Sequence, residues 1–468
     1  MIQVPSVVSA VPHCDTFCSV QKLNDYVERL RTDPRFQVEV AGRSLGGIPI
    51  FHVRFGEGST KALYVAGNHC MEPIGGLTSY SLLNLLHQNH SELAGADVEW
   101  HIVPCIDPDG ALLNEGWTQK PFALEHFMRN FYLQPLRDGV DTSFPVTYKN
   151  LSINNEPSHE AKILAKLLDA IKPDFYAALH NTFAGGAFFF SSRDIGAQCY
   201  AEIHDLLRRY NFPLRAKPQY SEFLRSFGQG VVEMHSVVKH YDFLARTLPN
   251  PEEVLGGHGY GGASWDYLEQ IKPDALIFVP EMGYFQHPSY ESDRQTGRNL
   301  RQFKLRIEAD SKFVAAVMLQ EWEKVKQDLD PASPLYKAME GLALPSRDTI
   351  MAGGWPVSRY PSRDTLFNPE YDRHMTEGEQ FDACIVNDGL KFLAFDYQFL
   401  RLLEGSTRTP AVSRAIDRLE ELFQAAFADI AGHFDLSRIE VFACDRLAAI
   451  QLGSSLVALN SVLGKGMS

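Results

Sequence analysis

Short apolar runs that end in polar turns recur over the first three hundred residues of this chain, most of them followed by a helical stretch. That alternation limits the fold more than any other feature. "FQVEVAG" and "IPIFHVRFG" read as two strands around the turn "RSLGG", and "KALYVAG" as a third. "VEWHIVPCID", "PDFYAALHNT" and "DALIFVPEMGY" read as further strands. "VQKLNDYVERLRT", "GGLTSYSLLNLLHQN" and "EAKILAKLLDAI" place apolar residues at helical spacing. Strands alternating with helices predict an α/β fold with a mixed, largely parallel twisted sheet flanked by helices. In such sheets the chemistry gathers at strand ends.

From about residue 290 the pattern changes to long helical stretches, with "DPASPLY" as a linker. The reading divides the chain into a catalytic domain over 1–325 and a mainly helical extension over 326–468, for packing or oligomerisation. The net charge of −14 argues against nucleic acid and anionic membranes, which reward clustered Lys and Arg. No apolar run is read as reaching the roughly 18 residues of a membrane span, and the first residues lack the basic start of a signal peptide. Seven scattered cysteines without zinc-type pairing read as thiols of a reducing compartment, and Cys14 and Cys18 as free rather than a metal or redox pair. The expected location is cytoplasmic. Oligomeric state is not legible.

The chemistry starts at "GNHCMEP". Here His69 and Glu72 stand three apart at a strand exit, one residue before a helix. Imidazole nitrogen and carboxylate oxygen suit Zn²⁺, and a catalytic site needs one more protein ligand and an open position for water. His180 in "YAALHNT" ends another strand and is the candidate for that ligand, against a core histidine satisfied by backbone. A zinc hydrolase also needs a base beside its water. Glu281 in "IFVPEMGY" is a carboxylate at the end of an apolar strand, where an unpaired charge is expensive unless it has a task. Arg129 in "FMRNF" is the candidate donor for an anionic intermediate.

With these residues in hand, the chain resembles the zinc carboxypeptidases of the carboxypeptidase A type over about residues 20–325. "GRSLGGIPIFHVRFG", "GNHCMEP", "CIDPDG", "HNT", "GGASWDY" and "PEMGY" are similar, in order and spacing, to that family's segments. Asp107 stands where Asn is usual, and Trp265 and Asp266 are swapped. The resemblance implies one Zn²⁺ per chain on His69, Glu72 and His180, with Glu281 as general base and Arg129 stabilising the oxyanion. It implies that Asp141 of "GVD" holds the other ring nitrogen of His69, and it makes Tyr260 of the glycine-rich "GGHGYGG" the nearest candidate for a substrate-contacting tyrosine.

One departure bears on the substrate. Where the family carries an Asn–Arg pair that clamps a peptide's free C-terminal carboxylate, this chain reads "GVDTSFP", with Thr142 and Ser143. An alternative register makes Arg129 the clamp, but leaves the oxyanion without an arginine and strands the "GVD…FP" match. A free α-carboxylate is then either not required or is read by a basic residue elsewhere, with Arg137, Arg193 and Arg225 as candidates. The leading expectation is a zinc-dependent hydrolase of amide bonds acting on a peptide or an N-acyl amino acid. The alternatives are a small-molecule amidohydrolase or deacylase on the same scaffold, and a binding protein with a silent site.

Overall fold

The computed structural model describes residues 1–153, 156–215, 224–246, 248–256, 261–343, 369–387 and 390–464. Nine strands form one mixed sheet. In chain order they are β1 (Phe36–Arg43), β2 (Pro49–Phe55), β3 (Thr60–Ala66), β4 (Val98–Val103), β5 (Phe175–Leu179), β6 (Phe188–Ser191), β7 (Ser226–Gly228), β8 (Val231–Glu233) and β9 (Leu276–Glu281). Their spatial order is β1-β2-β4-β3-β5-β9-β6-β8-β7. The four central strands, β4, β3, β5 and β9, run parallel, and β6 returns antiparallel beside β9. β5 is buried along its whole length, and β3 over its last five residues, as expected of central strands covered on both faces.

The eleven helices that matter here are α1 (Val20–Leu30), α2 (Ile74–His87), α3 (Pro108–Thr118), α4 (Leu124–Asn130), α5 (His159–Ile171), α6 (Ala197–Arg209), α7 (Ser264–Ile271), α8 (Leu300–Val325), α9 (Leu390–Glu404), α10 (Pro410–Ala431) and α11 (Cys444–Leu463). Alternate residues along the strands feed two cores. Ala177 and Phe278 face a core built with α1, α2, α6 and α11. Ala178, Val279 and Phe188 face a second one with α5 and α7.

The division at residue 325 is corrected by this packing. One apolar core runs without a break from Ile2 to Leu459, and α11 lies against β3, β5 and β9 between α2 and α6. The physical reason is composition: α11 is apolar almost all round, and such a helix must be enclosed. Gly453 lets it seat closely, since a Cβ there would stand 2.7 Å from Leu206 and 2.8 Å from Val8. Among the described residues it is also the one helix long and apolar enough to cross a membrane, contrary to the expectation of none, and 72% of that stretch is buried inside the protein. All seven cysteines are free thiols.

Candidate metal centre

β3 ends at Ala66, and Gly67 turns the chain with φ of 76°, a left-handed conformation that side chains resist. The loop then carries His69 and Glu72 to the start of α2. Gly75 in the first turn of that helix rests on the end of β5: a Cβ there would meet the Leu179 carbonyl oxygen at 2.8 Å and the Leu179 Cβ at 2.9 Å. This close approach lays the His69–Glu72 loop beside His180, the residue after β5.

The three expected ligands come together. One ligand atom from each of His69, Glu72 and His180 lies within 4.8 Å of the others. His69 Nδ1 is 2.9 Å from Glu72 Oε1, and His180 Nδ1 is 2.9 Å from Glu72 Oε2. The two imidazoles meet edge to face at 4.7 Å. His180 and Glu72 are buried, whereas His69 keeps 28% of its side chain exposed, so the cluster opens to solvent on one side. Burial alone would raise the Glu72 carboxyl, but the charges of His69 and His180 outweigh it and bring the pKa down to about 2. Burial works against charge on His180, yet Glu72 and Asp141 push its pKa well above the ordinary imidazole value. The pocket therefore favours positive charge at its centre.

A zinc ion fits this donor set. Two imidazoles and one carboxylate, partly open to solvent, are the ligand types and count of a catalytic zinc site. Glu72 Oε2 is buried and, despite the nearby Nδ1, has no aligned hydrogen bond, as expected where lone pairs converge on a common point. His180 Nε2 is held by Asp141 Oδ2 at 3.0 Å, which fixes the tautomer and turns Nδ1 toward Glu72.

That contact corrects the role read for Asp141, which was expected on His69. The carboxylate lies in the turn Val140–Thr142, where Oδ1 accepts the backbone N–H of Ser264 at the start of α7 (2.7 Å) and Oδ2 accepts Asn68 Nδ2 (2.6 Å). These anchors place it beneath β5, beside His180. Burial raises the Asp141 pKa, but the His180 hydrogen bond and charge, with the Ser264 N–H, hold it below the usual carboxylate range.

Arg129 is also corrected. It sits on α4 with its guanidinium turned to the C-terminal helices: Nη2 donates to Glu420 of α10 at 2.6 Å, and the group lies over the Tyr397 ring of α9 at 5.5 Å. Phe127, two positions earlier and so about 200° round the helix, is the residue that packs toward the site, stacking on Phe183 at 4.5 Å. Arg129→Ala should therefore leave kcat within about twofold. This half-exposed ion pair contributes under about 1 kcal/mol, a Tm shift of about 1–2 °C. A hundredfold fall in kcat would restore the oxyanion role.

Glu281 is the last residue of β9, half-buried, opposite Phe188 of β6. It is not part of the three-ligand cluster. Burial raises the pKa of the Tyr284 phenol well above its ordinary value, and the charges of Glu72 and Glu281 add to that, so Glu281 and the metal loop act on the same side chain. Tyr260 lies outside the described residues. Thr142 and Ser143 serve the chain's own packing: the Thr142 carbonyl accepts Gly261 N–H at 2.6 Å, and Ser143 Oγ accepts Ser158 N–H at 3.0 Å.

Three further residues support the centre; Trp265 and Tyr284 lie in segments the sequence singles out, but without these roles, and Gln451 lies in none. Tyr284 donates to the Met71 carbonyl between the two loop ligands at 2.8 Å and accepts Asn181 Nδ2. Trp265 packs its ring edge-on to His180 at 5.6 Å. Gln451 of α11, fully buried, donates to the His180 carbonyl at 2.7 Å and accepts the Thr78 hydroxyl of α2 at 2.8 Å. Gln451→Leu leaves both partners buried and unsatisfied, a cost of about 1–3 kcal/mol each. It should weaken zinc binding about tenfold or more, read by competition with a chromophoric chelator.

Comparison with known proteins adds a likeness of fold. No family model matches the chain, and no curated protein matches it. Solved structures do. A candidate metallopeptidase from Shewanella amazonensis is 16% identical over 56% of this chain and 84% of that one, with a TM-score of 0.38. Carboxypeptidase A from Helicoverpa armigera is 14% identical over 60% and 66%, with a TM-score of 0.34. A metallo-carboxypeptidase from Pseudomonas aeruginosa is 16% identical over 57% and 60%, with a TM-score of 0.29. The functional reading stands on the geometry of the site itself.

Proposed function

We propose that the protein is a zinc-dependent hydrolase of the amide bonds of peptides. The observation that carries the reading is the convergence of His69, Glu72 and His180 at two adjacent strand ends, with Asp141 orienting one imidazole. Bound there, zinc would act as a Lewis acid and lower the pKa of a coordinated water to about 7. His69, Glu72 and His180 would hold the ion, and the partly exposed edge of His69 leaves the way in for substrate. Glu281 takes a proton from the attacking water and returns it to the leaving amine. The Tyr284 phenol stays protonated and braces the loop through Met71.

A small-molecule amidohydrolase is the second reading. It is favoured by Thr142 and Ser143, whose segment packs against residues 158 and 261 and presents no arginine. Zinc-loaded protein assayed on blocked dipeptides and on N-acyl amino acids separates the two. Stoichiometric zinc with no turnover of either class would leave only a binding role.

A further inference from the structure

Among the described residues, Arg215 is the only arginine or lysine that is buried, at 7% exposure. Among the described residues it forms an ion pair with Asp382, whose Oδ1 is 3.7 Å from Nη2, too far for a hydrogen bond. Nη1 is buried and makes no hydrogen bond. A guanidinium in this state is costly unless an anion completes it.

The backbone around Arg215 is firmly built. Arg215 N–H donates to the Ala187 carbonyl at 2.8 Å, and Ala187 N–H to the Pro213 carbonyl at 2.8 Å. Gly186 permits that contact, because a Cβ there would stand 2.7 Å from Pro213 O and 2.8 Å from Arg215 N. The guanidinium lies over the Phe188 ring, 5.6 Å from its centroid.

Phe188 fixes where this cation stands. It pairs directly with Glu281 across β6 and β9, and it faces the same core as Val279, two residues before Glu281. Trp265, which packs on His180, borders that same core. Neighbouring strands are about 4.8 Å apart, so β6 lies about 10 Å along the sheet end from β5, which leads into His180. Passing along the sheet end, the order is the metal-ligand pair at β3 and β5, Glu281 at β9, and Arg215 over the first residue of β6.

Resting on the amide-hydrolase reading, the geometry points to Arg215 as the residue that receives a carboxylate of the substrate, on the far side of Glu281 from the metal ligands. The other arginines considered stand elsewhere. Arg193 donates to the Asp274 carbonyl, before β9 begins, at the strand end opposite Glu281. Arg225 is exposed beside Phe227, and Arg137 keeps 65% of its side chain in solvent. A guanidinium–carboxylate fork gives both charge and direction. The carboxylate is either the α-carboxylate beside the scissile bond or an acidic side chain next to it.

Zinc-loaded enzyme is assayed on two substrate pairs: a blocked dipeptide against its C-terminal amide, and N-acetylglutamate against N-acetylglutamine. The native enzyme is expected to favour the acid in one pair by about a hundredfold in kcat/KM, and which pair responds identifies the carboxylate. Arg215→Met should erase that preference through KM, Arg215→Lys should keep part of it, and Asp382→Asn should retain it. An Arg215→Met enzyme that still prefers the acid would overturn the proposal. So would a native enzyme with no preference in either pair. If no amide is hydrolysed, the amide-hydrolase reading fails by itself. Glutarate then decides Arg215 on metal-free protein: it should raise the Tm of the native chain and leave that of Arg215→Lys less affected, and equal shifts would sink the assignment.

Discussion

Full-length protein carrying His180→Ala is expected to retain no stoichiometric zinc by elemental analysis after exhaustive dialysis. His180 is the one ligand fixed from three sides: Asp141 holds its Nε2, Trp265 its ring edge and Gln451 its carbonyl. Removing the imidazole takes away a ligand and leaves the Glu72 carboxylate buried with half of its compensation gone. Breaking a buried charge pair in this way costs about 3–5 kcal/mol, so the variant should also unfold at lower temperature. The two effects separate if circular dichroism confirms a folded variant while zinc is absent. A folded His180→Ala protein holding one zinc per chain would remove His180 from the ligand set and with it the reading of the centre.

How much of this was legible in the sequence follows from which contacts are local. The His69–Glu72 pair and its strand exit were readable, because alternation marks the strand and three residues of spacing mark the loop. His180 and Glu281 were readable as polar stops on apolar strands. Which histidine Asp141 serves was not, since that choice is made by the N–H of Ser264, 123 residues away. Arg129 has suitable neighbours in sequence, yet helical periodicity turns Phe127 toward the centre and Arg129 away from it. Gln451 is a single polar residue in an apolar helix, with nothing local to tie it to a strand end 271 residues earlier. The same helix defeated the domain boundary: a segment near the C-terminus that looks peripheral in sequence fills the face of the central sheet. Arg215 was missed because it belongs to no motif, and its meaning comes from burial and from the strand pairing of Phe188.

Glu281→Gln should keep zinc at one per chain and lose about a hundredfold or more in kcat, the usual range for removing a positioned general base. Glu281 closes β9, the strand next to the one that leads into His180, and it stands outside the three-ligand cluster, so removing its charge does not remove a donor to the ion. Glutamine has nearly the same shape, so strand pairing with Phe188 and the Tyr284 contacts should persist, and KM should change little. What glutamine lacks is basicity, and an effect confined to kcat marks an interaction made in the transition state. Loss of zinc in the Glu281→Gln protein would make Glu281 a ligand instead. A fall in kcat of less than tenfold with zinc retained would assign the base to another group.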